Sequence, residues 1–267
     1  MHRLTRQIRF SVDPFGNEGD AEGFNSYCSK PAGHGLGFFI CLNVELQGSV
    51  QADTGFLINL AEIDAKARTE AVNIYKKRIQ QMISAGKNVT LEKNAEILME
   101  CWEGLRRSFN PQKLSSLEQL VNPYKKITIS GDSNMLLYSE KFEFAATHKL
   151  WNENFSEHKN FEQFGKCANP QGHGHNYVVE ITAEPENWKD FDRFDFQKKV
   201  KKLFIDKLDH KNLSKDLEYY KQHNPTVENI TVHCWQTLSG KLKGARLESV
   251  RIWENDRAYC TYRGEQE

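Results

Sequence analysis

The sequence predicts an α+β protein built from two tandem modules, residues 1–138 and 139–267. Each module is expected to have the order ββααββ, with an antiparallel sheet and two helices on one face. Three observations support this prediction. The chain contains an internal repeat, alternating apolar runs recur in both halves, and each half has two stretches of helical spacing.

The repeat is clearest around a cysteine-to-histidine loop. The segment CSKPAGH (28–34) matches CANPQGH (167–173), so the two copies lie 139 positions apart. Further along, ECWEGL (100–105) parallels HCWQTL (233–238) in the same order. This conserved order indicates a duplicated module rather than two chance similarities.

Alternation of apolar and polar residues predicts the strands, and apolar residues three to four positions apart predict the helices. The strands expected in the first half are 3–12, 38–46, KKITIS (125–130) and NMLLYSE (134–140), and those in the second half are 137–147, 177–185, 247–253 and 257–264. The helices are expected at about 60–84, 92–108, 195–207 and 227–241.

Charge and composition exclude some partners. The 36 basic residues balance the 36 acidic ones, so no overall positive field favours nucleic acid or a membrane surface. No apolar stretch reaches the length of a membrane span or of a signal peptide, which predicts a cytoplasmic protein. The six cysteines are far apart and lack CxxC pairs, so we expect reduced thiols.

Three histidines form a candidate metal site in the second half. His173 and His175 flank one glycine, and residues two apart on a strand point to the same side. His148 ends the segment FEFAATH on the strand expected to pair with them. Three imidazoles with an open fourth position are typical of catalytic zinc. The alternative is a polar turn with surface histidines.

Two further groups could move protons. Cys167 precedes His173 in the same loop, and a thiol near a cation has a lowered pKa and can serve as a base. Asp209 and His210 place a carboxylate beside an imidazole, as in a proton relay. The alternatives are a small buried cysteine and a helix C-terminal cap.

Two residues could bind a substrate. Glu254 follows VRIW at a strand end, where its carboxylate could accept two hydrogen bonds from a guanidine-like edge. An exposed salt bridge is the alternative. Thr226 in PTVEN (225–229) is a helix N-cap candidate.

In this order, the motifs CANPQGHGHNY, LDHKNL and PTVEN followed by Glu254 resemble those of 6-pyruvoyltetrahydropterin synthase and its relatives. The resemblance covers nearly all of residues 139–267. It implies the tunnelling fold (T-fold) and a homo-oligomer in which several modules close their sheets into a barrel. The implied small-molecule partner is a pterin triphosphate, 7,8-dihydroneopterin triphosphate.

The resemblance also implies a role for each motif residue. Zinc would be held by His148, His173 and His175, protons would be moved by Cys167, Asp209 and His210, and the pterin would be bound by Glu254 and Thr226. The implied reaction is a zinc-dependent lyase step that releases triphosphate and forms 6-pyruvoyltetrahydropterin.

Two alternative functions stay open. A related enzyme cleaves the side chain to 6-carboxytetrahydropterin on the route to deazaguanine nucleosides such as queuosine. The five-residue gap between Cys167 and His173 resembles that of the pyruvoyl-forming enzymes, whereas the carboxy-forming ones usually have a shorter gap. This resemblance favours the pyruvoyl product. The other alternative is a non-catalytic pterin- or purine-binding protein. Urate oxidase shares the fold but works without metal, and the histidine triad argues against it.

The first half has lost most of these groups. Cys28 and His34 remain, but the aligned positions hold Pro14 for His148, Leu36 for His175, Ala85 and Gly86 for Asp209 and His210, and Gly131 for Glu254. One imidazole cannot hold catalytic zinc. We therefore expect residues 1–138 to be a degenerate module and residues 139–267 to be the catalytic one.

Overall fold

The computed structural model describes residues 1–15, 37–131 and 135–264. It divides the chain into two compact units, Met1–Leu137 and Tyr138–Glu267. The expectations about Cys28, His34 and Leu36 lie outside the described residues. No helix in the described part of the chain is long and apolar enough to cross a membrane.

The first unit is an antiparallel sheet with helices on it. Its elements are β1 (His2–Val12), β2 (Phe38–Gly48), α1 (Leu60–Ala67), a π turn (Arg68–Val72), α2 (Asn73–Ser84), α3 (Leu91–Ser108), β3 (Lys113–Asn122) and β4 (Lys125–Ser130). The strands pair in the order β1-β2-β3-β4. Alternate residues of β1 face the helices, where Phe10 contacts Tyr75 edge to face.

The second unit repeats this plan with extra short elements. They are β5 (Met135–His148), α4 (Glu157–Phe164), a 3-10 turn (Gly165–Ala168), β6 (His173–Pro185), α5 (Arg193–Val200), a π turn (Lys201–Ile205), α6 (Asp206–Leu208), β7 (Lys211–Asn212), α7 (Leu213–Asp216), α8 (Tyr219–Gln222), α9 (Val227–Leu238), β8 (Ala245–Asn255) and β9 (Ala258–Tyr262). Antiparallel pairing gives the order β5-β6-β8-β9, and β7 runs parallel to the end of β5.

The core of the second unit lies between its sheet and its helices. Phe142 and Phe144 of β5 point towards Phe196 of α5 and Phe204 of the following turn. Both phenylalanines of β5 are nearly inaccessible to solvent. Burying such side chains contributes about 1.5–3 kcal/mol each, so this layer fixes the strands whose ends carry the candidate site.

One strand prediction is wrong. The last strands of the first unit are Lys113–Asn122 and Lys125–Ser130, and the NMLLYSE run forms the start of β5 from Met135 onwards. The register of β2 with β3 shifts between Glu45 and Leu46. Such a bulge breaks strict alternation, which hid β3 from a period-two pattern.

This correction changes which residues of the first unit correspond to Glu254. Glu254 is near the end of β8, the strand that corresponds in order to β3 and not to the segment before Gly131. The run LVNPY (120–124) at the end of β3 contains no carboxylate. The first unit therefore still lacks an equivalent of Glu254, although at a different position from the one expected.

Candidate functional site

The three predicted ligand histidines meet at one end of the β5–β6 pair. His148 lies directly opposite His173 in the antiparallel register, and His175 lies opposite Ala146. All three side chains point to the helix-covered face because alternate residues of a strand share a face. One ligand nitrogen from each imidazole lies within 4.8 Å of the others.

Glycines allow this close approach of the two strands. Gly172 has φ +71°, and a Cβ there would lie 2.6 Å from the carbonyl oxygen of His148. At Gly174, a Cβ would lie 3.1 Å from Cγ2 of Thr147. The glycines on both sides of His173 therefore have a steric role, which is to bring its strand against the end of β5.

The histidine rings are arranged as ligands rather than as a closed hydrogen-bond network. His148 donates through Nδ1 to the carbonyl oxygen of Pro225 at 2.6 Å, because a carbonyl can only accept. Its Nε2 then carries a lone pair and lies 3.0 Å from Nε2 of His173. Nδ1 of His173 and Nε2 of His175 are buried and have no hydrogen-bond partner. The unpaired Nε2 of His175 suits a bound metal ion, as does Nε2 of His173, which faces the lone pair of His148.

Burial favours the neutral rings that a metal requires. It lowers the pKa of His148 to about 4, against the smaller opposing effect of the bond to Pro225. Burial also lowers the pKa of His175, whereas the nearby Glu254 carboxylate acts in the opposite direction. At neutral pH both imidazoles are therefore uncharged and able to coordinate.

Glu254 lies beside the triad, and Cys167 lies near enough to Glu254 to be affected by its charge. Oε1 of Glu254 is 3.5 Å from Nε2 of His175. Cys167 sits on the 3-10 turn after α4, and its backbone carbonyl accepts from Leu150 N at 2.9 Å. Burial, and secondarily Glu254, raises the pKa of the Cys167 thiol. The protein groups around this thiol thus act against the lowered pKa that the sequence predicted.

Tyr177 is a neighbour that the sequence reasoning missed. Its ring is 5.5 Å from that of His175 and stacks on Phe144, and its buried hydroxyl has no hydrogen-bond partner. A tyrosine two residues beyond an H-x-H pair gives no distinctive signal, because the same position would suit any core aromatic.

The Asp209–His210 pair forms hydrogen bonds with the backbone of β5. Asp209 accepts from Ala145 N at 2.9 Å, and His210 N donates to the Ala145 carbonyl. Nδ1 of His210 lies 2.9 Å from the Asp209 carboxylate. The bond from Ala145, and then the contact with His210, lowers the pKa of Asp209. The carboxylate is therefore ionised and can orient the ring.

In the described part of the structure, the Asp209–His210 pair is not hydrogen-bonded to Cys167. Within the described ranges, His210 bonds to Asp209, and neither residue forms a hydrogen bond with the Cys167 thiol. His210 and His175 do line one pocket of about 590 Å³, together with Lys211 and Asp216. The His210 ring is 83% exposed in this pocket and free to reach a ligand.

Thr226 has the structural role that its sequence position indicates. Its hydroxyl accepts from Asn229 N at 3.3 Å and so caps α9. A capping hydroxyl can still donate its proton to a ligand, so the cap and the predicted substrate contact are compatible.

Comparison with known proteins agrees with the motifs. The family model for 6-pyruvoyl tetrahydropterin synthase matches residues 138–265. The human 6-pyruvoyl tetrahydrobiopterin synthase is 35% identical over 131 residues, which cover 48% of this chain and 90% of the human one. The chain belongs to the 6-pyruvoyl tetrahydropterin synthase family. The resemblance inferred from the sequence is thereby confirmed.

Other synthases match a similar share of the chain. The enzyme of that name from Poecilia reticulata is 37% identical over 126 residues, covering 46% of this chain and 86% of its own length. The solved structure of the Caenorhabditis elegans 6-pyruvoyl tetrahydropterin synthase is 31% identical with a TM-score of 0.44, covering 48% of this chain and 95% of that one.

Proposed function

We propose that the chain is a zinc-dependent lyase acting on 7,8-dihydroneopterin triphosphate, forming 6-pyruvoyltetrahydropterin with loss of triphosphate. The observation that carries this proposal is the convergence of His148, His173 and His175, with Glu254 beside His175. The names of the relatives, which are pterin synthases, support the substrate class.

The protein groups have separate roles in the proposed reaction. A zinc ion held by the three imidazoles would supply Lewis-acid polarisation of the substrate's side-chain hydroxyls. Glu254 binds the guanidine edge of the pterin by two charge-assisted hydrogen bonds, with help from Thr226. Cys167 takes a proton from the substrate side chain, and His210, oriented by Asp209, exchanges the second proton.

The Asp209–His210 pair and Cys167 can serve one substrate without touching each other. His210 and His175 border the same pocket. A pterin with an extended side chain is long enough to contact groups on separate elements. A direct Cys167 to His210 hydrogen bond is therefore not required for both groups to act on one substrate.

We further propose that residues 1–138 form a degenerate copy of the module and that residues 139–267 form the catalytic T-fold module. In the described part of the first unit, Pro14 and Gly86 stand where a ligand and the relay imidazole are expected. Among the described residues, the edge strands β1 and β9 each pair with one strand of their own unit. A strand with an unpaired edge favours association with another chain, which supports a homo-oligomer. The cytoplasmic location stays a prediction from the sequence.

The decisive experiment is a product assay. The purified full chain, loaded with zinc, is incubated with 7,8-dihydroneopterin triphosphate, and the products are identified by mass spectrometry. We expect 6-pyruvoyltetrahydropterin and free triphosphate. Formation of 6-carboxytetrahydropterin would replace the proposed product, and tight pterin binding without turnover would indicate a binding protein.

Metal analysis tests the site itself. We expect one zinc per chain, because three imidazoles converge only in the second unit among the described residues. His173→Ala should remove this zinc, whereas the matched variant His34→Ala in the first half should keep it. Zinc that depends on His34 would contradict the assignment of a single site.

A further inference from the structure

The orientation of His148 depends on one backbone carbonyl. His148 is 1% exposed, and its Nδ1 donates to the Pro225 oxygen at 2.6 Å, a bond that leaves Nε2 directed at the other two imidazoles. A ligand histidine held in this way loses little freedom when it binds a metal. The position of the Pro225 carbonyl therefore sets the position of the His148 ring.

The turn that carries Pro225 is fixed by hydrogen bonds on both sides. Before the proline, the Asn224 side chain accepts from Trp151 N at 2.9 Å, and the Asn224 carbonyl accepts from Thr226 N at 2.8 Å. The same carbonyl also accepts from Nδ2 of Asn229 at 2.8 Å. After the proline, the Thr226 hydroxyl accepts from Asn229 N.

Asn229 thus contacts the turn twice. Its backbone N–H bonds to the Thr226 side chain, and its amide group reaches back to the Asn224 carbonyl. These two bonds are formed to the residues on either side of Pro225. Pro225 itself is buried and has no backbone N–H that could donate a hydrogen bond. The Asn224 carbonyl is therefore held from the start of α9 by two donors, the N-cap N–H of Thr226 and, from within the helix, the side-chain amide of Asn229.

We propose that Asn229 is a positioning residue that sets the metal affinity of the triad by holding the Pro225 carbonyl against His148. This inference rests on the proposed metal-binding function of the three histidines. Among the described residues, Asn229 forms no hydrogen bond with the three histidines and does not line the pocket of His210, so it acts through the backbone of the turn. Partners outside a metal's ligand shell typically change affinity by 10- to 100-fold, and Asn229 acts one bond further away.

The chain offers a matched control at another helix. Asn160 lies in the first turn of α4 and donates through Nδ2 to the carbonyl of Asn152 at 3.0 Å, and to those of Phe155 and Ser156. It thus ties a helix start to the loop before it, as Asn229 does. Within the described part of the chain, Asn160 forms no direct hydrogen bond with the Pro225 turn; its nearest connection runs through Asn152, which follows Trp151, the donor to Asn224. Asn160 is fully buried, so we expect its loss to lower stability as well.

The test compares Asn229→Ala, Asn229→Asp and Asn160→Ala in the metal-free full chain. Zinc affinity is measured by competition with a chromophoric chelator, and Co²⁺ absorption reports the coordination geometry. Alanine removes the amide donor, and aspartate places a carboxylate oxygen against the Asn224 carbonyl at unchanged volume. We expect about tenfold weaker zinc binding and an altered Co²⁺ spectrum for both Asn229 variants. Asn160→Ala should bind zinc as the unmodified protein does.

The outcomes separate this inference from the proposed function. Failure of the unmodified chain to bind zinc overturns the proposed function and the inference with it. If the unmodified chain binds zinc but the Asn229 variants bind it equally well, only the inference is overturned. Equal weakening by Asn160→Ala would show a general loss of stability instead of positioning. Should Asn229→Ala fail to fold, as judged by circular dichroism, Asn229→Asp supplies the comparison.

Discussion

Gly172→Ala tests whether the close approach of the two strands builds the histidine site. Gly172 has φ +71°, and an added Cβ would lie 2.6 Å from the His148 carbonyl oxygen. Left-handed backbone costs about 1–2 kcal/mol for an alanine. The contact with a backbone oxygen forces a further shift, and overpacking of this kind costs about 1–3 kcal/mol. We therefore expect a total destabilisation of about 2–5 kcal/mol.

A second glycine separates these two costs. Gly240 has φ +70°, and a Cβ there would meet nothing within 4 Å. Gly240→Ala should thus lose only the backbone cost of about 1–2 kcal/mol. Both variants reduce the freedom of the unfolded chain equally, so this effect cancels in their difference.

The assay is urea unfolding of the metal-free protein, followed by tryptophan fluorescence. Four of the five tryptophans lie in the second unit, so the signal reports mainly on that unit: Trp151, Trp188, Trp235 and Trp253. Zinc affinity is measured in parallel. Gly172→Ala should weaken zinc binding because it displaces the end of β5, and Gly240→Ala should not. Equal stability and equal zinc affinity of the two variants would refute the steric argument.

Three further predictions concern single side chains. Cys167→Ala should lower turnover by about 10²- to 10⁴-fold and retain zinc, since the thiol is assigned to proton transfer; loss of zinc would make it a ligand instead. His210→Gly should abolish turnover without lowering the free energy of unfolding, because glycine relieves the φ of +56° at that position; a clear drop in stability would contradict this. Burial lowers the pKa of His233 to about 4 from its ordinary 6.5. The stability that the neutral His233 ring contributes is therefore present above pH 6.5 and is lost as the pH falls towards 4. In urea unfolding at pH 7 and pH 5, His233→Phe should therefore lose less stability than the unmodified chain; equal losses would show that this ring does not titrate on unfolding.

The ligand positions could be predicted from the sequence because they follow from strand periodicity. An H-x-H pair on a strand faces one side whatever the rest of the fold does, and His148 ends the neighbouring strand. The helices at 60–84 and 92–108 also lie where the apolar spacing placed them. These features depend on local pattern, and tertiary packing did not override it.

Other parts of the site depend on tertiary contacts that no local pattern encodes. The carbonyl of Pro225 orients His148 from 77 positions away, and any residue could supply a carbonyl. The path of the chain from α5 to β7 decides at which edge of β5 the Asp209–His210 pair forms hydrogen bonds. It therefore also decides whether His210 can contact Cys167. The raised pKa of Cys167 likewise comes from burial and from Glu254, which is far away in the sequence.

The turn that holds Gly86 in the first unit and His210 in the second has a similar backbone conformation in both units but a different residue. Gly86 follows α2 with φ +65°, and His210, the residue aligned with it, has φ +56°. Among the described residues, His210 is the one non-glycine residue in this left-handed region. In the first unit this position is a glycine, Gly86, which adopts the left-handed conformation without strain. In the second unit the same turn carries an imidazole at a cost of about 1 kcal/mol, and strain of this kind persists where the side chain has a function. The strain at His210 therefore agrees with the proposed role of this turn in the second unit, and it does so without reference to the proposed zinc ligands.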